Sequence, residues 1–268
     1  MIEIEALETG PVAVQLLTFS SGRVNAQDVE LLKELTGALG ELRSSGAGAL
    51  VVTGAGRAFS AGVDLNRVVD GGAGYTDRLV PALSEAFEAM FSYPGPTVAA
   101  INGAAIAGGC VLACACDRRL IGPEAQIGAS EVRVGVAFPV AALEVMRYAC
   151  GDRAEDVLLG GRLYRGDEAI ANGLPTAWSP TISSRRPWRR RPTSAASRST
   201  PIAIRRRSCE PRPWPGCARG AVSTARFPRC GGRRRRSDES PPISRAFAGA
   251  ELVVERDAAG GAPASHPM

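Results

Sequence analysis

The sequence predicts an α/β fold in which ββα units are coiled around one another. Segments typical of a strand, a loop and a helix recur about every 45 residues over the first 174 residues. Two strand-to-helix junctions are rich in small residues, at 54–62 and 107–109. The first of them, GAGRAF, lacks the third glycine of a dinucleotide-binding fingerprint, so the repeats do not favour a Rossmann sheet.

The N-terminal segments have clear periodicities. MIEIEALE and PVAVQLLTF are separated by Thr9-Gly10, which predicts a β-hairpin. From Gln27 to Leu42 the apolar residues recur at helical spacing. GALVVTG, at 48–54, is rich in β-branched residues and predicts a buried strand that ends in the loop AGRAFSAGVDLN.

The following segments repeat the strand, loop and helix order. The predicted elements are a helix at 76–92, a strand at TVAAING (97–103), a small-residue helix at AGGCVLACACD (107–117), a strand at RRLIG (118–122), a loop at AQIGASEVRVGVAFP (125–139) and helices at 140–150 and 153–159.

The composition excludes several classes of protein. The one histidine is His266 and the one lysine is Lys33, which argues against a Ser-His-Asp triad, a His-rich metal centre and a P-loop. Seven cysteines, an odd number, in a chain without a signal-peptide pattern predict reduced thiols in the cytoplasm. Cys110, Cys114 and Cys116 lie among small residues and are predicted to be buried rather than metal-binding. No apolar run suggests a membrane span.

The glycine-rich junctions are the candidates for chemistry. Small residues at 60–62 and 107–109 allow main-chain N–H groups to approach a ligand without obstruction by side chains. Two such N–H groups that converge on one carbonyl oxygen would form an oxyanion hole. From the spacing alone, such glycines more often indicate tight turns or close packing.

Four motifs in order resemble the crotonase (enoyl-CoA hydratase/isomerase) superfamily. They are TGAGRAFSAGVDL, AAINGAAIAGGCVLACACD, AQIGASEVRVGVAFP and GGRLYRGDEAIANGL, and the resemblance covers most of residues 10–174. It implies a spiral of ββα units that binds acyl-CoA and assembles as a homotrimer or a dimer of trimers. It also implies that two main-chain amides, here those of Ala61 and Gly108, polarise the thioester carbonyl and stabilise an enolate.

The resemblance also places the proton-transfer groups. Family hydratases have two glutamates; here Val111 stands at the first position and Glu131 at the second. Addition of water benefits from two carboxylates, whereas a double-bond shift needs one base, so isomerisation is favoured over hydration. Glu144, on the next helix, is a candidate second carboxylate or an ordinary surface charge.

The remaining site residues follow from the same motifs. The substrate-binding candidates are Arg57, Ser60, Ala61, Asp64, Gly108 and Gly109. Arg57 is predicted to steer the phosphates of coenzyme A or to be a solvated loop residue, and Asp64 to orient the main chain. No metal or redox cofactor is expected, because coenzyme A is part of the substrate.

The last 94 residues differ from the rest. Residues 1–174 hold 13 Lys+Arg and 21 Asp+Glu, a balance of −8, whereas residues 175–268 hold 19 Arg and 6 Asp+Glu, a balance of +13. A disordered basic arm that binds nucleic acid is one interpretation, which would make the chain a catalytically silent scaffold. The absence of lysine from the segment and its few aromatic residues argue against that interpretation.

Translation in another reading frame is the favoured interpretation of this segment. Back-translating PTAWSPTISSRRPWRRR (175–191) and reading one base earlier permits ADGVVADDLLAAALAAA, a strand followed by an alanine-rich helix. We therefore expect a crotonase-like core at 1–174, an Arg/Pro-rich, poorly ordered and out-of-frame segment at 175–240, and a tail at 241–268.

Overall fold

The computed structural model describes residues 1–8, 13–46, 48–180 and 182. Most of the Arg/Pro-rich segment and all of the tail at 241–268 therefore lie outside the described residues. The expectation that this part is out of frame and poorly ordered stays a prediction.

The described residues form a mixed α/β fold with two sheets. The strands are β1 (Ile2–Glu8), β2 (Ala13–Phe19), β3 (Ala49–Gly54), β4 (Ala58–Ser60), β5 (Thr97–Ile101), β6 (Ala104–Ile106), β7 (Arg118–Ile121), β8 (Ile127–Gly128) and β9 (Ala177–Trp178). The main sheet has the order β1-β2-β3-β5-β7-β9, and the small sheet has the order β4-β6-β8. β1 pairs with β2 in the antiparallel sense, which confirms the hairpin, and the other neighbours are parallel.

The small sheet explains the coiled repeat. A strand of the main sheet is followed after a short turn by a strand of two or three residues, and a helical segment follows. β4 and β8 lie inside segments that the sequence predicts as loops, and β6 lies between the predicted strand at 97–103 and the predicted helix at 107–117. Strands of two or three residues are too short to show alternation. The ββα prediction is confirmed, and β9 begins three residues after the predicted end of the core at 174.

The helices cover the main sheet. They are α1 (Val29–Ser44), α2 (Leu65–Phe91), α3 (Gly108–Cys114), α4 (Val140–Cys150), α5 (Ala154–Gly160) and α6 (Gly166–Ala171), with 3₁₀ turns at Glu131–Val134 and Gly151–Arg153. α1 begins where the Asp28 carboxylate accepts the N–H of Leu31 at 2.7 Å. α2 begins earlier than the predicted 76 and is interrupted at Gly72, whose φ of 56° is not helical.

The core is continuous, and α3 lies within it. Every residue of α3 is buried, because a helix of small residues can pack closely on several sides. The thiols of Cys110, Cys114 and Cys116 are buried and free, which confirms their structural interpretation. In the part of the chain that the structure describes, no helix is both long enough and apolar enough to cross a membrane.

Candidate active site

The small sheet brings three loops to one edge. β4, β6 and β8 are parallel neighbours, so their carboxyl ends lie on the same side. The residues that follow these ends are 61–64, 107–109 and 129–131, and the N–H of Ala107 donates to the carbonyl of Gly128 at 2.9 Å. The edge at the carboxyl ends of parallel strands is where α/β proteins commonly bind ligands. The structure therefore brings together the two glycine-rich junctions and Glu131.

The loop after β4, at 60–64, is held from within. The buried Ser60 hydroxyl donates to the carbonyl of Asn25 at 2.8 Å and accepts the N–H of Gly62 at 3.2 Å. Gly62 has a φ of +88°, and a Cβ at this position would lie 2.9 Å from the Cβ of Ala107 and 3.1 Å from the N of Gly108. Glycine is required here for both reasons, and the loop is in contact with the start of α3.

The amide of Ala61 is not available to a substrate in this structure. Its N–H donates to the carbonyl of Val24 at 3.0 Å. The prediction that Ala61 supplies an oxyanion-hole amide therefore needs correction. Three small or apolar residues follow Ser60, and spacing alone does not show which of their amides points away from the fold.

Val63 presents its amide outwards instead. Gln27 bonds to both neighbours of Val63: its N–H donates to the Gly62 carbonyl at 2.7 Å, and its carbonyl accepts the Asp64 N–H at 2.9 Å. In a parallel bridge of this kind, the N–H of the intervening residue points to the opposite side. The Val63 N–H has no acceptor among the described residues.

The amide of Gly108 is also free. It is the first residue of α3, where an N–H has no partner within the helix, and no described residue accepts it. A Cβ on Gly108 would lie 2.3 Å from Gln27 Oε1, and a Cβ on Gly109 would lie 2.2 Å from the Ser60 carbonyl oxygen. Gly109 is therefore needed for α3 to lie directly against Ser60, and Gly108 leaves room for the side chain of Gln27.

Glu131 is partly buried, and one of its two carboxyl oxygens has no hydrogen-bond partner among the described residues. It is the first residue of the 3₁₀ turn that follows β8, and its Oε2 is enclosed without a hydrogen-bond partner in the described structure. Burial raises the pKa of Glu131 to about 7, although a hydrogen bond from its own main chain opposes this rise. A carboxylate with a pKa near neutrality can both accept and return a proton.

The other proton-transfer candidates do not resemble Glu131. Val111 is buried in α3 and carries no titratable group. Glu144 is in α4, partly exposed, and bonds to Arg147 at 3.1 Å. The structure thus gives Glu144 the environment of a surface ion pair.

The remaining predicted residues surround the loop at 60–64. The Asp64 carboxylate caps α2 by accepting the N–H groups of Asn66 at 3.1 Å and Arg67 at 3.2 Å, so it orients the main chain. Arg57 is exposed in the turn between β3 and β4. Its side chain is therefore open to a charged group from solvent.

Two free main-chain amides near a buried carboxylic acid are the features of enzymes that form an oxyanion from a carbonyl and move a proton. The family model described as enoyl-CoA hydratase/isomerase matches residues 10–204. The chain belongs to the enoyl-CoA hydratase/isomerase family, whose members act on acyl-CoA substrates.

Relatives and solved structures agree with this membership. A Thermus thermophilus protein with a provisional enoyl-CoA hydratase assignment is 40% identical over 178 residues, which are 65% of this chain and 70% of the relative. The structure of Pseudomonas aeruginosa DspI has a TM-score of 0.60 at 30% identity, over 68% of this chain and 70% of that one. An enoyl-CoA hydratase from Bacillus anthracis has a TM-score of 0.59 at 27% identity, over 66% and 70% of the two chains.

Proposed function

We propose that the chain is an enoyl-CoA isomerase that converts 3-enoyl-CoA into 2-enoyl-CoA. Ionised Glu131 removes a proton from C2, and the electrons of that C–H bond pass into a dienolate. The negative oxygen of this dienolate accepts hydrogen bonds from the amides of Val63 and Gly108. Protonated Glu131 then returns the proton to C4, and the double bond forms between C2 and C3. The observation that carries the proposal is the carboxyl of Glu131: one of its oxygens is enclosed without a partner among the described residues, and burial raises its pKa to about 7.

The two amides supply the electrostatic part of catalysis. Removal of one oxyanion-hole donor typically costs about 3–4 kcal/mol of transition-state stabilisation. The Val63 and Gly108 amides belong to main chain that is held by hydrogen bonds and by close glycine contacts, so they need little rearrangement when charge develops. The proposed steps need only these amides and one carboxylate, and we propose that no metal or redox cofactor takes part.

Hydration of 2-enoyl-CoA is the second candidate. It would use Glu131 to activate water and Glu144 as the second carboxylate. Glu144 is instead paired with Arg147, and Val111 offers no carboxylate, so the site favours isomerisation.

Substrate assays distinguish the two reactions. The chain with the corrected reading frame is expected to turn over 3-enoyl-CoA faster than it hydrates 2-enoyl-CoA. Glu131→Gln is expected to abolish the first reaction, and Glu144→Gln serves as the matched control. Retention of isomerase activity by Glu131→Gln would move the base to another residue, whereas a large loss of hydration in Glu144→Gln would favour the hydratase.

The proposed assembly depends on the residues after 174. We propose that a chain with a corrected reading frame forms the homotrimer expected for the family in the cytoplasm, and that the chain as written is weakly active or inactive. The nucleotide sequence across codons 170–245 tests the frame directly, and light scattering on both versions tests the assembly. Well-folded trimers of equal size would contradict the proposal.

A nucleic-acid-binding scaffold is the remaining rival. It would retain DNA in a salt-sensitive way and turn over neither thioester. We expect the chain as written not to retain DNA, and the chain with the corrected frame to turn over 3-enoyl-CoA.

A further inference from the structure

Gln27 connects the two amides of the proposed oxyanion hole. Its main chain bonds to both neighbours of Val63, at 2.7 Å to Gly62 and 2.9 Å to Asp64. Its side chain reaches the start of α3, where Oε1 occupies the space 2.3 Å from the position of a Cβ on Gly108. Gln27 therefore contacts the segments that carry both donors.

The side chain of Gln27 is enclosed. The residue is 2% exposed, and neither Nε2 nor Oε1 has a hydrogen-bond partner among the described residues. Because both atoms are enclosed, neither water nor substrate can touch them in this conformation. Any influence of Gln27 on the reaction must therefore act through its neighbours.

Gln27 also borders a small apolar cavity. This cavity is lined by Phe19, Gln27, Leu31, Leu32, Leu35 and Leu112. The Gln27 side chain therefore contacts both this cavity and the space beside Gly108. A smaller residue at 27 would extend the cavity to the first residue of α3.

We propose that Gln27 is a positioning residue of the oxyanion hole. Its main chain fixes the Val63 amide, and the volume of its side chain holds the start of α3, and with it the Gly108 amide, at the separation that the enolate oxygen needs. This inference rests on the proposed function, because it assigns the same two amides.

The test compares Gln27→Ala with Gln27→Met in the full chain with the corrected reading frame, which is the wild type of this comparison. Gln27→Ala is expected to lower kcat for trans-3-hexenoyl-CoA roughly 10- to 100-fold with little change in KM, because a misplacement of about 1 Å has an effect of this size. Gln27→Met keeps the volume and is expected to retain kcat within threefold. Leu35→Ala is the matched control: it enlarges the same cavity away from Gly108 and is expected to lose stability without loss of kcat.

A spectroscopic measurement separates positioning from general destabilisation. Bound trans,trans-2,4-hexadienoyl-CoA absorbs at longer wavelength when its carbonyl is polarised. We expect wild type, Gln27→Met and Leu35→Ala to produce the same red shift, and Gln27→Ala to produce a smaller one. Circular dichroism confirms that each variant is folded.

Several outcomes would overturn the inference. They are an unchanged kcat in Gln27→Ala, a loss in Gln27→Met as large as that in Gln27→Ala, and an equal loss in Leu35→Ala. Wild type without turnover or red shift would instead refute the proposed function, and the inference with it.

Discussion

Replacing Glu131 with glutamine removes a charge from the interior and keeps the size of the side chain. The pKa of Glu131 lies at about 7 in the folded protein, compared with 4.5 for an ordinary glutamate. Each unit of pKa corresponds to about 1.4 kcal/mol, so ionisation of Glu131 costs the folded state about 3 kcal/mol. Glu131→Gln does not have this cost.

The direction of the pH dependence follows from the raised pKa. Below about pH 4.5 the carboxyl is protonated in both the folded and the unfolded chain, so the raised pKa does not lower the free energy of unfolding. Between about pH 4.5 and pH 7 the unfolded chain has lost this proton while the folded state keeps it, so the stability falls as the pH rises and levels off above pH 7. Relative to wild type, Glu131→Gln should therefore gain about 3 kcal/mol between pH 4.5 and pH 8.

Urea unfolding of both proteins at pH 4.5 and pH 8 measures this difference. Glu144→Gln is the control, because exposed ion pairs such as Glu144–Arg147 contribute at most about 1 kcal/mol. The reasoning would be refuted if the Glu131→Gln and wild-type stabilities ran parallel between the two pH values. That result would show that the carboxyl is hydrated rather than buried.

The same ionisation sets the pH dependence of catalysis. A general base must be ionised in the free enzyme, so kcat/KM for 3-enoyl-CoA should rise through about pH 7 and then level off. Glu131→Gln should lower kcat by roughly 10²- to 10⁴-fold. A wild-type rate that does not change between pH 5 and pH 8 would argue against Glu131 as the base.

Three further substitutions test the site. Gln27→Met removes a buried side-chain amide without a partner among the described residues, so it should raise the free energy of unfolding by about 1–3 kcal/mol in urea titrations. A lower free energy of unfolding would show that the amide is paired in solution. Gly109→Ala places a Cβ 2.2 Å from the Ser60 carbonyl oxygen, so α3 must shift and kcat/KM should fall about 100-fold. Unchanged kinetics would show that α3 does not lie against the loop at 60–64. Val111→Glu supplies the carboxylate absent from α3 and should raise the rate of 2-enoyl-CoA hydration relative to isomerisation, with Val111→Gln as the uncharged control. Equal hydration rates in the two variants would show that a second carboxylate is not what hydration lacks.

Long periodic segments were predictable from the sequence. The hairpin β1–β2 and helix α1 have enough residues for their apolar spacing to be distinctive, and both lie where the spacing predicts. The start of α2 was not predictable, because the glycines near Gly72 weaken the helical pattern. There the Asp64 cap and the packing of α2 on α1 determine the helix.

Local sequence determined where the chemistry lies: two glycine-rich junctions, a single glutamate in the expected motif, and a valine at the position of the other. It did not determine which amide is free, because the amide direction depends on the partners of the main chain, and Val24 and Gln27 lie more than thirty residues before the loop at 60–64. The raised pKa of Glu131 also depends on the folded structure, since burial of the carboxyl causes it. Sequence therefore specified the residue types of the site, and only the tertiary structure decided that Val63, rather than Ala61, turns its N–H away from the fold.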